Sequence, residues 1–495
     1  MRLVLQSVLL PNEVSQKQDI YYLASGSIEV MADEVKVQTN SIFSTKTYMN
    51  LFDGAVWVKY TNRNTFNLEI EIKGIAELEI HFWSATSEQL ISKHTIEHLE
   101  MKKSSVQFTL NEDETIYFKI KAINDAWIKQ MQYTLEATAN ELNDVHLSVV
   151  ICTYKRNQQV MENIRKLKSS LFFRQTSDYY QKMSVRVVDN ASELEESDEA
   201  YFKLIHNNNT GGSGGFARGI LESRQDIQQH GISHVIFMDD DVEFINETFY
   251  RLYALLSLIS RQYQDNPVAG RMFKVRQRET QYTASEIWNK GDLQHIGYNQ
   301  DMSKGDKLQT MNKELGEYSG WWFACFPIEF VKKNLPLPFF LHCDDVEYGL
   351  RCGKKPLLMN GVQVWHETYE QRQDSTILYY DIRNAMIVNV IHGQCVTPKE
   401  VVKAFNRKML YSFKAAKFAE SYVMTVAFRD YLKGKTFFVG SQYKKIIARH
   451  NQLTSLILAM FGFGFIQIEN IFKGNKAFES YKTILFEKTE GGNIT

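Results

Sequence analysis

Apolar and polar positions alternate through much of the first third of the chain. Ala55-Val56-Trp57-Val58-Lys59-Tyr60, Leu68-Glu69-Ile70-Glu71-Ile72, Leu78-Glu79-Ile80-His81-Phe82-Trp83 and Ile116-Tyr117-Phe118-Lys119-Ile120 repeat with period 2, the spacing of strands that bury one face. No helical pattern separates them, so residues 1–145 are expected to form a β-sandwich or jelly roll. Such a unit either binds glycan through exposed aromatics or supports the domain that follows, and support is the expectation here. The pattern changes near Leu147. Ser148-Val149-Val150-Ile151, Val185 to Asp189, the short Lys203-Leu204-Ile205 and His234 to Met238 are mostly continuous apolar runs, as in strands covered on both faces. Helical stretches between most of them, the first beginning near Gln158, predict a doubly wound, mostly parallel α/β sheet over residues 146–396. Helical periodicity from about Thr397 predicts a C-terminal helical region, residues 397–495.

Composition narrows this picture. The 495 residues, 44% hydrophobic and 13% aromatic, suffice for two or three domains and exclude general disorder. A net charge of −1 conceals a basic tail: from Lys399 to Thr495 there are sixteen Lys and Arg against seven Asp and Glu. Nearly all the excess lies between Lys399 and His450, including Arg407-Lys408, Lys444-Lys445 and Arg449. Such a segment suits an anionic surface, membrane or nucleic acid, or is a solvated helical face. No nucleic-acid-binding module is recognisable, so nucleic acid is not expected as a partner. Leu453 to Ile466 is apolar but short for a span, and reads as a buried or interfacial helix. Five cysteines without a CxxC pair fit a reducing compartment. Met1 to Leu10 lacks an adequate signal-peptide core. The expectation is a cytoplasmic protein resting on the inner face of the plasma membrane, with homo-oligomerisation open.

The candidate chemistry centres on Asp239-Asp240-Asp241, which ends the fourth apolar run. Carboxylates at the C-terminal edge of such a sheet stand where ligands bind, and hard oxygens suit Mg²⁺ or Mn²⁺; an isolated acidic triplet is otherwise a solvated turn. Asn207 to Gly219 is a glycine-rich loop opening a helix, where missing Cβ atoms let backbone approach a phosphate or sugar. Its match to a dinucleotide fingerprint is weak, since two long strands precede it and the next strand ends in three aspartates. Asp344-Asp345 falls at a predicted helix start, a place for a general base or for simple capping.

Taken together, Val149 to Arg156, Val187-Val188-Asp189-Asn190, the glycine loop and Met238 to Asp241 resemble the GT-A family 2 glycosyltransferases. Gly320-Trp321-Trp322, His342 to Arg351 and Val364-Trp365-His366-Glu367 are similar to motifs of bacterial galactofuranosyltransferases, which extend galactofuranan from UDP-galactofuranose. The resemblance implies a GT-A catalytic domain flanked by a β-sandwich and a helical region. It also implies an inverting, metal-dependent transfer of galactofuranose to a lipid-linked glycan in cell-surface polysaccharide synthesis. It assigns Asp239, Asp241 and His366 to Mn²⁺ or Mg²⁺, and Thr153, Arg156, Asp189, Gly212, Gly214, Gly215, Arg218 and Asp240 to the UDP-sugar. Asp345 becomes the base, Asp344 orients the acceptor, and Trp321 and Trp322 form the acceptor platform. The chain departs from the pattern at Cys343, where a Trp is expected before the acid pair, and this bears on acceptor choice. Two alternatives stay open: the same chemistry with a rhamnosyl or glucosyl donor, and a non-catalytic glycan-binding protein on this scaffold.

Overall fold

A computed structural model describes residues 1–31, 34–84, 87–225, 227–368, 374–440 and 452–485. Among the described residues the N-terminal region is all-β apart from short helical turns, and its ten strands are hydrogen-bonded into one continuous sheet rather than two separate ones. The long strand Thr65–Trp83 explains this continuity. Residues 67–73 pair with the strand Ala126–Glu136, and residues 76–83 pair with Thr115–Ala122. Between the two sets lies Gly74 at φ 121°, where any side chain would run into the backbone of Asp125. The strand therefore changes partners at a residue that only glycine can occupy.

One predicted strand is absent. Residues 55–60 form a helical turn, Gly54–Trp57 with a following turn, and Asp53 Oδ1 accepts from Ala55 N at 3.0 Å. The alternation there is fortuitous: Gly54, Ala55, Val56 and Trp57 are all buried, so no polar face exists. The other three runs lie in strands, with Leu68–Ile72 and Leu78–Trp83 belonging to the same one.

The second sheet carries the site. Its parallel strands Phe202–His206, Met183–Asp189, Leu147–Thr153 and His234–Asp239 lie side by side in that order. Leu147–Thr153 is flanked on one side by the strand that follows it and on the other by a later one. This reversal of winding opens a crevice at the C-terminal edge. Antiparallel Phe323–Pro327 continues the sheet, followed by Val268–Lys274, which pairs in parallel with Leu357–His366.

Beyond residue 374 the described residues form helices and the links between them: Ser375–Ile391, Pro398–Lys414, Phe418–Tyr431, Lys435–Val439 and Gln452–Lys482. Ser375–Ile391 shares one core with the later helices through Tyr379, Ile387, Val401, Phe428, Phe478 and Tyr481. The final helix is longer than the fourteen apolar residues suggest. It runs 31 residues, long and apolar enough to cross a membrane by length and composition, and only 17% of its most apolar window is buried. Phe461, Ile471 and Phe472 are among its exposed side chains. Much of the basic charge is paired: Arg407 and Lys408 with Asp292, Lys417 with Glu420, Arg429 with Glu469 and Lys433 with Asp430. Lys444-Lys445 and Arg449 lie outside the described residues.

Candidate active site

The three central strands deliver their last residues to one place. Thr153 sits opposite Asp189, and Cys152 opposite Asp239, in the register of the parallel ladder. His366 arrives from a distant strand end. A bridge between Glu243 and Trp365, with N–H···O distances of 2.8 Å in both directions, fixes that strand beside the acidic turn. His366 Nε2 then lies 3.0 Å from Asp241 Oδ1 and 3.7 Å from Asp239 Oδ2. One ligand atom from each of Asp239, Asp241 and His366 falls within 4.8 Å of the others. Two carboxylates and an imidazole this close suit a hard or borderline divalent cation, Mn²⁺ or Mg²⁺. Electrostatics point the same way. Desolvation pushes Asp239 up to about 6, with Asp241 and Asp240 adding to it and His366 opposing, and a cation would relieve that crowding.

Asp240 turns to the other side. It is buried, and burial raises it above the usual carboxylate range, with the Arg156 guanidinium opposing. Thr153 Oγ1 donates to Asp240 Oδ2 at 2.7 Å and Arg156 Nη1 to Oδ1 at 2.6 Å. Arg156 also reaches Asp241 at 3.2 Å. Thr153 and Arg156, two of the residues predicted to touch the nucleotide, thus form one polar cluster with the acidic triplet. Asn163, unforeseen from sequence, donates from the helix Asn157–Lys168 to the carbonyls of Asp240 and Val242 at 3.0 Å each. Asp189 closes its own loop: its carboxylate accepts from the backbone N–H of Ala191, Glu193 and Leu194 at 2.8–2.9 Å. That is a strand-end cap, with lone-pair capacity left over.

The glycine segment is itself the first turn of the helix Gly211–Gln225. Most of its glycines serve packing: a Cβ on Gly215 would meet Cys152 Sγ at 2.1 Å, and one on Gly214 would strike Thr210. Gly212 alone in this turn has room, facing Asp344 Oδ2 at 3.6 Å. Arg218 pairs with Glu222 one turn on, at 2.8 Å, rather than with the carboxylate cluster.

Ser213 joins the two halves of the site, donating to Asp344 Oδ2 at 2.8 Å. Asp344 and Asp345 open the helix Asp344–Cys352, as expected, with Cys343 at its N-cap in a left-handed conformation. Burial raises both acids. Asp345 is raised the further, because Asp344 and then Glu286 add like charge, while the Val346 N–H and His342 oppose. A carboxylate so raised is a better proton acceptor than an ordinary one. Glu286, from the strand Ser285–Asn289, had no signal in the sequence. It is 4% exposed and lies 2.9 Å from His295 Nδ1.

The expected platform of two indoles does not form as drawn. Trp321 is 5% exposed and packed edge-on against Phe216, Phe237 and Tyr348, so it is a core residue. Trp322 remains half-buried, its Nε1–H donating to Gly270 O at 2.8 Å.

Residues 148–314 match the family model described as Glycosyl transferase family 2. Galactofuranosyltransferase GlfT2 of Mycobacterium tuberculosis is 21% identical over 439 residues, covering 81% of this chain and 66% of that protein. Galactofuranosyltransferase GlfT2 of Mycolicibacterium smegmatis is 21% identical over 396 residues, covering 72% and 59%. The chain therefore spans less than two thirds of the length of these relatives. Among solved structures, a carbohydrate-binding module of Cellvibrio mixtus lichenase 5A in complex with cellotriose covers 27% of the chain at a TM-score of 0.18, too low to support an argument. With the acidic triplet, its sheet edge and the glycine helix all inside the matched segment, residues 148–314 are similar to family 2 glycosyltransferases, and the chain more broadly is similar to galactofuranosyltransferases.

Proposed function

We propose that the chain is an inverting glycosyltransferase that moves galactofuranose from UDP-galactofuranose to a hydroxyl of a glycan acceptor. The observation that carries this reading is the convergence of Asp239, Asp241 and His366 on one sheet edge, with the Ser213–Asp344 bond tying the acid pair to the glycine helix. The kinship with galactofuranosyltransferases supports the donor sugar. A divalent cation held by Asp239, Asp241 and His366 would supply positive charge against a departing diphosphate. Thr153 and Arg156, gathered on Asp240, would contact the nucleotide, and Asp189 would add a base contact to its capping role. Gly212 leaves space for the donor sugar beside Asp344. Asp345, poised by burial, would take the acceptor hydroxyl proton as that oxygen attacks the anomeric carbon. A single direct displacement inverts that carbon, and Trp322 would border the acceptor. The exposed apolar face of Gln452–Lys482 suits shallow contact with a bilayer carrying the acceptor.

The test is UDP release from a panel of nucleotide sugars with Mn²⁺ and an oligogalactofuranoside acceptor. UDP-galactofuranose should be turned over fastest, and chelator should stop the reaction. Preference for another nucleotide sugar would replace the donor assignment. Glycan binding without UDP release from any donor would leave only the binding-protein reading.

A further inference from the structure

The segment entering the acid pair has a costly backbone. Phe340, His342 and Cys343 all lie at positive φ, 73°, 62° and 62°, a region that side-chain-bearing residues keep only where their surroundings impose it. Here one face of the helix Ser375–Ile391 imposes it. Asn384 Nδ2 donates to the carbonyls of Leu341 at 2.7 Å, His342 at 2.9 Å and Phe339 at 3.3 Å. Arg383 adds a 3.1 Å bond to Phe339 O, and Tyr380 stacks on Phe340 with centroids 5.6 Å apart. On the opposite side, Phe340 O lies so close to Gly211 that a Cβ there would come within 2.1 Å. The loop is thus wedged between the glycine helix and Ser375–Ile391. The same helical face presents Asp381, whose Oδ1 lies 3.0 Å from His342 Nδ1.

We infer that His342, held by Asp381, is a positioning residue for the proposed base: a fixed cation whose field offsets the burial of Asp344 and Asp345. The inference rests on the transferase reading and deepens it. Burial alone would lower the imidazole's pKa. Asp381, through charge and hydrogen bond, and then Asp344 and Asp345, outweigh that and take His342 up to about 9. It is therefore an imidazolium at neutral pH. In return its charge lowers both Asp344 and Asp345, against their desolvation. The other groups bearing on this corner are Glu286 and Tyr318, which face Asp345, and Lys408 of Pro398–Lys414, which bears on Cys343. Asp345 thus has Asp344 and Glu286 against its ionised form, while the charge of His342 favours it.

The experiment is the pH–rate profile of the full chain with UDP-galactofuranose and acceptor. His342→Asn is the variant of choice, because Asn tolerates the left-handed backbone. It should raise the acidic limb of kcat by about 1 pH unit or more with little change in donor KM, and Asp381→Asn should move the limb the same way. A uniform loss at every pH with an unmoved limb would overturn the inference, since a merely structural loop role lowers all rates alike. A second measurement needs no turnover: in the full chain labelled with ¹³C-histidine, the imidazole signal lost in His342→Asn belongs to His342. Its midpoint should lie well above the ordinary value of about 6.5 and fall in Asp344→Asn, Asp345→Asn and Asp381→Asn. A midpoint near the ordinary value, or one unmoved by these changes, overturns the inference. A wild-type chain that transfers no sugar overturns the transferase reading instead, and the imidazole titration then decides the pairing of His342 separately.

Discussion

Burial, Asp344 and Glu286 all disfavour the ionised form of Asp345, and they act on rate and stability in opposite directions. A carboxyl whose folded-state pKa is raised binds its proton more tightly folded than unfolded. It stabilises the fold below its ordinary value of 3.8, and that contribution is lost as pH rises through the raised value. Asp345→Asn removes the penalty along with the proposed base. Its kcat should fall roughly 10²–10⁴-fold, while its melting temperature at about pH 7.5 should exceed the parent's by a few degrees, the gap closing towards about pH 4. Lower stability at both pH values would show that capping of Asp344–Cys352 outweighs the burial cost. The adjacent indoles separate in the same residue-level terms. Trp321→Ala should cost roughly 3–5 kcal/mol of stability and harm donor and acceptor kinetics together, whereas Trp322→Ala should raise acceptor KM selectively with little change in melting. The triplet and the acid pair were legible because each lies in a local motif, whereas His366 was assigned only through the resemblance. Glu286, Asn163 and the inward turn of Trp321 were not legible, because they depend on which distant elements meet: neighbouring side chains diverge, and no spacing says which one faces the core.

At the scale of elements, parallel strands were read from continuous apolar runs, and the four that build the crevice stand where those runs lie. The turn at residues 54–57 was misread because period-2 spacing over a few residues carries little information when every position is buried. Asp53 as N-cap was the overlooked signal. The last helix was underestimated for another reason: polar residues after Ile466 end the apolar run without ending the helix. Along it Leu453, Ile457, Met460, Phe461, Phe465, Ile468, Ile471 and Phe472 stay exposed, while Ser455, Ala459, Ile466, Ala477 and Phe478 pack inward. Since Arg407, Lys408, Lys417, Arg429 and Lys433 are ion-paired, the apolar face is the stronger cause of any membrane contact. Phe461→Glu with Phe472→Glu should sharply reduce co-sedimentation with anionic vesicles, and added salt should weaken it less than these substitutions do. Binding that vanishes with salt and ignores the substitutions would return the role to the basic segment.

Across the whole molecule, the supporting role expected of the N-terminal region has a physical basis in buried polar bonds that cross to the α/β sheet. Arg251, fully buried on the helix Glu247–Leu258, donates to Met49 O at 2.8 Å, Ser7 O at 2.9 Å and Asn360 O at 3.1 Å. Its partner Glu247 accepts from Arg251 Nε at 3.3 Å and from Ser7 N at 2.7 Å. Asn360 donates to Tyr48 O and Leu51 O, and Asn312 joins Asp53 to Arg271. One apolar core runs through both regions, from Leu3 and Phe52 to Phe249 and Trp365. Groups buried this way lose their partners if either region leaves, and each unsatisfied one costs about 1–3 kcal/mol. The two regions should therefore melt together. A chain beginning at His146 should be insoluble or unfolded, and the full chain should show a single calorimetric transition for everything before residue 374. Arg251→Met should cost roughly 3–5 kcal/mol by stranding Glu247 without its cation. Adding Glu247→Met should restore much of that loss, because an apolar pair of similar volume replaces the buried ions. Two resolved transitions, or a soluble and folded chain without residues 1–145, would show that the N-terminal sheet is an appended module whose buried contacts add nothing to the fold of the α/β sheet.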